Sequence, residues 1–274
     1  IVPLPAEQDT VGQMTATVAD AAALFGVLAG ADQSEQGTAP AAAQPAGYTQ
    51  FLDAGALAGA RIGIWRDGAA QAVAAASAVL DEVISLLRSR GAEVLDPVDL
   101  ADADQFAEAE KTALLHEFAS DLDAYLAALG GEHPRSLAEL IAYNTEHASR
   151  VLAVFGQEIF EQALETGGRP DPRWRPAREK ARTQARSALD GAFAGPGLDA
   201  VLALSGNPAW LTDPVLGDSY SVGTSSLAAV AGYPAITVPA AAVSGLPVGI
   251  SLIGPAWSEP RLIALAYAYE QASG

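Results

Sequence analysis

The sequence predicts an α/β fold in which helices cover a mixed β-sheet. Three observations predict it. A β-rich run, Arg61 to Trp65 (RIGIW), is followed by a helix-periodic stretch and a second strand-like run at Ala92 to Leu95. That is the pattern of a βαβ unit, which should be parallel and right-handed. Near the C-terminus, the apolar runs Ala235 to Pro239 and Pro247 to Gly254 flank Ser244-Gly245, a hairpin connection within Ala240 to Leu246. With Leu198 to Leu204 (LDAVLAL), at least five strands are interleaved with helices.

The elements follow in order. Ile1 to Thr10 is extended, because Pro3 and Pro5 exclude helix. Thr17 and Asp20 are spaced as an N-cap and its reciprocal acid. The helix they open should bury Val18, Ala21, Leu24, Phe25 and Leu28 and end at Gly30. Ala31 to Gly59, rich in Pro, Gly and Gln, reads as a long surface connection pinned by Tyr48, Phe51 and Leu52. Ala69 to Arg90 is a helix with Val73, Ala76, Leu80, Val83, Ile84 and Leu87 on one face, ended by Gly91.

A helical block follows from Asp102 to Ala194. Its helices are expected at Ala103–Leu129, Ser136–His147, Leu152–Glu165 and Arg173–Phe193. SGNPAWLTDPVLGD, with two prolines and two glycines, is loop. Ser219 to Val230, small and apolar, reads as a buried helix stopped at Gly232-Tyr233-Pro234. Strands as apolar as the last two should be covered on both faces. Ser258 should cap a final helix, with Glu259 in its first turn and Pro260 near N1.

Half of the 274 residues are hydrophobic, enough for one large domain or two modest ones. The formal charge of −18 argues against a nucleic-acid partner, since phosphate neutralisation supplies most such affinity. With no cysteine, disulfides and thiolate chemistry are excluded. No apolar run reaches the roughly 18–20 residues of a membrane span, so no membrane partner is expected and the expected compartment is the cytoplasm.

SSLAAVAGYPAITVPA, then GLPVGISLIGPAWSEPRLIALAYAYEQA, resembles the C-terminal end of an amidase signature family hydrolase. The opening IVPLPAEQDTVGQMTATVADAAALFGVLAG resembles the segment that follows that family's catalytic core, with Gln13 where the family has proline. The resemblance covers nearly the whole chain and is weak between about Asp102 and Arg186. It implies amide hydrolysis by a serine, relayed through a second serine to a neutral lysine, with no metal or organic cofactor. In the family the lysine and its Gly/Ser-rich stretch precede the IVPL-like segment. The chain from Ile1 to Gly274 therefore reads as the C-terminal part of an amidase domain, with the helical block as an inset.

The residues agree that the reacting groups are elsewhere. Gly223-Thr-Ser-Ser-Leu lacks the second glycine of a nucleophile elbow. The only lysines, Lys111 and Lys180, have no serine three residues before them and read as solvated helix faces. Ser225 and Ser226, about 100° apart on a helix, read as packing residues rather than a relay. His116, His133 and His147 show no metal-ligand spacing and read as solvated or capping residues.

Two stretches are candidates for substrate-binding walls. Gln8, Asp9 and Thr10 follow directly on the segment that the resemblance makes catalytic, although Asp9 and Thr10 also suit a turn. Asn207 and Trp210 follow a core strand, and ligands of open α/β sheets gather at strand carboxyl ends. An amide group and an indole suit an amide substrate, while the indole also suits loop packing. The function expected is part of an amidase acting on small-molecule amides: scaffold and part of the substrate funnel, inactive alone and prone to homo-oligomerise. A non-catalytic amidase-like module that binds a ligand or partner is the alternative.

Overall fold

A computed structural model gives the protein's architecture. It describes residues 2–32, 36–67, 70, 72–100 and 105–274. The expected starts of a helix at Ala69 and of the helical block at Asp102 lie outside the described residues. The chain divides into two compact units. A sheet unit comprises residues 11–103 and 185–274, and a helical unit comprises residues 1–10 and 104–184.

Among the described residues, five strands form one mixed sheet: β1 (Arg61–Ile64), β2 (Glu93–Leu95), β3 (Ala200–Leu204), β4 (Ala235–Val243) and β5 (Leu246–Ile253). Their order is β2-β1-β3-β5-β4. β1 pairs parallel with β2 and β3, and β5 pairs antiparallel with β3 and β4. The expected hairpin is present, but its strands are longer than the sequence suggested. Ala240 to Val243 continue β4, and only Ser244 (φ 53°) and Gly245 (φ 80°) turn. Two consecutive left-handed residues make the twist of the turn match that of the strands.

Burial on both faces holds for β3 and most of β5, but not for β4. β3 is buried at every position, whereas Val238 is the one fully buried residue of β4. The difference is one of position: among the described residues, β4 lies at the end of the sheet. Pro239, which has no N–H for a further ladder, sits in this strand beside a register shift, as edge strands permit.

One face of the sheet, carrying Ile62, Ile64, Leu202, Leu204, Ile250 and Leu252, joins the core formed with α1 (Val18–Leu28), α2 (Ala74–Ser89) and α9 (Glu259–Ser273). On the other face Gly63 is required by close approach. A Cβ there would lie 2.5 Å from the Leu198 side chain and 2.8 Å from that of Val98.

α1 starts as predicted, with the Thr17 hydroxyl accepting from Asp20 N at 3.0 Å. Its buried stripe is narrower than expected. Val18 and Ala22 are buried and Phe25 partly so, while Leu24 and Leu28 are exposed. The stripe at i, i+4 and i+7 packs toward α9, whose Glu270 accepts from Val18 N at 2.8 Å. The helix ends through an extended Ala29 rather than a left-handed Gly30.

Tyr48 is buried with its ring 4.5 Å from that of Phe25, so the connection is pinned where expected. Ala56 and Leu57, read as surface, are buried as well. In α2, Val73 serves as N-cap and is half-exposed, while Ala76, Leu80, Val83, Ile84 and Leu87 are buried as predicted; Gly91 ends the turn at φ 87°. Ser258 flanks α9, but its hydroxyl makes no cap bond.

The 219–230 helix is shorter than predicted: α8 spans Ser225–Ala231 and closes at a left-handed Gly232. Gly223 instead forms an isolated bridge with Gly206, and residues 218–222 before it are not helical.

The helical unit holds α3 (Ala107–Ala128), α4 (Leu137–Glu146), α5 (Ala148–Val151) and α6 (Glu158–Glu165). α7 (Trp174–Ala194) begins in this unit and continues beyond Gln184 into the other. The single helix expected from Leu152 is absent before Glu158, where a bend at residues 152–155 and Gly156 intervene. Among the described residues, one apolar cluster of this unit is built on Phe118, Ala119, Leu122, Leu137 and Ala163. Among the described residues, no helix is long and apolar enough to cross a membrane.

Candidate functional site

In the sheet unit, the candidate locus is the loop that leaves the carboxyl end of β3. Its neck is closed by three devices. Thr224, buried, donates its hydroxyl to the Leu204 carbonyl at 2.8 Å. Gly206 and Gly223 bridge. Asn207 then donates through Nδ2 to the Ser221 hydroxyl at 2.5 Å and accepts from Val73 N at 2.9 Å. The Tyr220 hydroxyl packs against Gly223, where a Cβ would oblige the tyrosine ring to shift.

The body of the loop is organised by two carboxylates. Asp213 Oδ1 accepts from Val215 N at 2.8 Å and Leu216 N at 2.9 Å, and these bonds hold its pKa below the usual carboxylate value. Gly217, at φ 83°, completes the turn. Asp218 accepts from Trp210 Nε1 at 2.7 Å, and the Trp210 ring meets Tyr220 edge-on at 6.4 Å. Trp210 is 42% exposed, so it is not a core residue; Leu211, Val215 and Leu216 are 90%, 89% and 85% exposed.

Beside the neck, Ser205 and Ser251 share a hydrogen bond at 2.8 Å, and Ser251 and Thr237 another at 2.9 Å, a hydroxyl row across β3, β5 and β4. Ser225 and Ser226 are exposed at the start of α8 rather than packed as predicted, since the helix begins only there.

In the helical unit, residues 5–9 form a turn in which the Pro5 carbonyl accepts from Gln8 N and Asp9 N, each at 2.9 Å. Asp9 accepts from Leu4 N at 2.7 Å, and Thr10 is exposed. The Gln8 side chain is held at both ends: it donates to Glu110 at 2.9 Å and accepts from Arg178 at 2.5 Å. Behind it lies a fully buried ion pair. Arg178 donates to Glu117 through Nε at 2.8 Å and through Nη2 at 2.5 Å, and Trp174 Nε1 donates to the same carboxylate at 2.7 Å. These bonds, with the one from Arg178 to Gln8, compensate the burial of two charges.

Around the pair, Arg169 makes two bonds to Asp121 and one to Glu7, and it stacks on the Trp174 ring at 4.7 Å. Burial, the largest single influence, would lower its pKa; the Asp121 bond together with the charges of Asp121, Glu117 and Glu7 raises it on balance.

His116 is buried, not solvated as predicted, because it lies on an inner turn of α3 where Gly168 approaches its carbonyl. Its Nδ1 lies 2.6 Å from the Thr112 carbonyl, and its Nε2 lies 3.6 Å from Asp171. Lys111 and Lys180 are exposed, in agreement with the solvated-face reading. Among the described residues, no group of three or more His, Asp or Glu side chains is arranged to hold a metal ion.

The five candidate residues thus fall in separate units: Gln8, Asp9 and Thr10 in the helical one, Asn207 and Trp210 in the sheet one. Sequence reasoning missed Arg178, Glu117, Thr224 and Tyr220. For Arg178 a signal existed, since an arginine stands in register with Ala181, Ala185, Ala188 and Leu189, all buried on α7.

The amidase family model matches residues 1–263. A probable amidase of Arabidopsis thaliana is 34% identical over 281 residues, covering 100% of this chain and 50% of that protein. A putative amidase of Schizosaccharomyces pombe is 27% identical over 310 residues, covering 98% of this chain and 50% of that protein. The solved structure of native peptide amidase from Stenotrophomonas maltophilia superposes with a TM-score of 0.90 at 40% identity, over 100% of this chain and 55% of that one. The chain spans about half the length of the curated relatives it matches. With a match that runs from the first residue to the last helix, the chain belongs to the amidase signature family.

Proposed function

We propose that residues 1–274 form the C-terminal part of an amidase domain whose whole protein hydrolyses carboxylic amides through a serine acyl-enzyme. The observation that carries this reading is the family match along residues 1–263, joined by 40% identity to a peptide amidase. In this reading the chain supplies the helix–sheet scaffold and part of the substrate funnel. Gln8, Asp9 and Thr10 are its substrate-side residues in the helical unit; Asn207 and Trp210 are those in the sheet unit.

The nucleophile and its base lie outside these residues. A base of this kind must be neutral, hence desolvated, and the exposure of Lys111 and Lys180 supports assigning the role elsewhere. The isolated chain is then inactive. Its exposed apolar side chains, Phe155 at 78% and Leu211 at 90% among them, favour self-association, which sedimentation would detect.

The test is a broad panel of amides, with a serine-directed fluorophosphonate probe, on the isolated chain and on the chain joined to the segment bearing the family's lysine and serines. Turnover and labelling only in the joined form are expected. Turnover or stoichiometric labelling of the isolated chain overturns the assignment. A second reading, a non-catalytic amidase-like module that binds a ligand or partner, is favoured by the exposed loop at residues 210–220. It requires that the joined form also turn over nothing.

A further inference from the structure

We propose that Asn207 is a positioning residue: its side-chain amide latches the loop at residues 206–223, so that Trp210, Leu211 and Tyr220 present an apolar wall to amide substrates bearing an apolar side chain. The substrate half of this proposal rests on the amide-hydrolase reading above; the latch half does not.

An asparagine just past a strand's carboxyl end invites the role of a direct ligand. Here both ends of its amide are engaged by the protein. Oδ1 accepts from Val73 N at 2.9 Å, and Nδ2 donates to the Ser221 hydroxyl at 2.5 Å. One side chain thus ties the N-terminal edge of α2 to both strands of the loop's neck, next to the Gly206–Gly223 bridge. An amide engaged at both ends fixes where everything beyond the neck can be.

What lies beyond the neck is apolar. The loop's two carboxylates face its own donors: Asp213 takes Val215 N and Leu216 N, and Asp218 takes Trp210 Nε1. The indole is thereby held edge-on to Tyr220, whose hydroxyl packs where Gly223 has no Cβ. Leu211 at 90% and Tyr220 at 62% remain open. Such open apolar side chains favour apolar substrates, and the loop's two carboxylates disfavour anionic ones.

Two measurements test the two halves. Hydrogen exchange on the 274-residue chain reads the latch. Asn207→Ala should speed exchange across residues 208–222 roughly tenfold, since two bonds of ordinary strength are lost. Ser221→Ala, a milder change, should speed it about threefold. Asn207→Asp should stay near wild type, since a carboxylate can accept from both Val73 N–H and the Ser221 hydroxyl. Unchanged exchange in Asn207→Ala, or Asn207→Asp as fast as Asn207→Ala, overturns the latch.

Kinetics on the whole enzyme reads the wall. Asn207→Ala should raise KM about tenfold for an amide with a leucine-type side chain and less than about twofold for a small one such as propionamide. kcat should hold within about threefold, and Asn207→Asp should restore KM. An equal KM rise for both amides, or a loss confined to kcat, overturns the wall. If the whole wild-type enzyme hydrolyses no amide, the hydrolase reading falls and the substrate half with it, while the exchange result still judges the latch.

Discussion

In the sheet unit the largest fully buried side chains include Ile62, Ile64, Leu202, Leu204, Ile250, Leu252 and Tyr269; in the helical unit they are Arg178 and Leu137. The sheet unit spreads its burial over many interchangeable apolar contacts, where losing one leaves a cavity but no orphaned charge. The helical unit, beside its apolar cluster, also buries one arginine completely, satisfied by Glu117 and Gln8. A satisfied buried pair adds little over an apolar replacement, but half of such a pair is strongly destabilising. The two interiors should therefore answer mutation differently.

The sharpest way to break this contrast is Glu117→Ala. It strands the Arg178 guanidinium at 2% exposure and should cost about 3–5 kcal/mol in a urea melt. Replacing both partners, Glu117→Leu with Arg178→Met, should recover most of that loss. A single substitution costing under about 1 kcal/mol would erase the distinction.

Leu202→Ala in the sheet comes next, at about 2–5 kcal/mol. No second substitution that merely removes a partner should rescue it, because what is missing is volume. Thermal melts of the single and paired variants check both.

Trp210→Ala should cost about 1 kcal/mol or less, because the ring is 42% exposed, while raising KM in the whole enzyme. A large loss of stability with unchanged KM would place the indole among packing residues.

The smallest effect has the opposite sign. Burial raises the Glu259 pKa above its ordinary 4.5, and Oε2 is buried without a partner. A carboxyl raised in the folded state stabilises the fold when protonated, and that contribution is lost as pH rises through its folded pKa. Glu259→Gln should therefore raise the melting temperature at pH 7, with the gain vanishing as pH falls below the ordinary value of 4.5. A variant melting lower than wild type at pH 7 would count against this.

The same contrast explains what the sequence made legible. The strands and the Ser244-Gly245 turn were readable because short apolar, β-branched runs and turn chemistry are local. So was the buried face of α2. The edge exposure of β4 was not, because Ala235 to Val243 is as apolar as a central strand and only its place in the sheet decides its burial. The Ser219–Val230 helix was over-extended because small residues suit helix and extended chain alike. The loop after β3 and a turn involving Asp9 were legible as local structure, but the partners of the candidate residues were not. Asn207 meets Val73 across 134 residues of sequence, and Gln8 meets Arg178 across 170. No local pattern carries such a pairing.

The sheet unit is assembled from two separated stretches of chain, and that sets an order in time. As the ribosome delivers the chain, β1, α2 and β2 emerge together and can form their ladder at once. The other edge of β1 has no partner until β3 appears; Arg61 and Asp199, which hydrogen-bond at the start of that ladder, are 138 residues apart. Throughout that interval the nascent chain carries an unpaired apolar edge, the kind of surface on which chains aggregate or chaperones bind. The hairpin of β4 and β5 arrives after β3, pairs locally within itself, and joins the sheet along β3. Folding of this unit should accordingly be late and slow, limited by the closure of a long loop rather than by any single helix or turn.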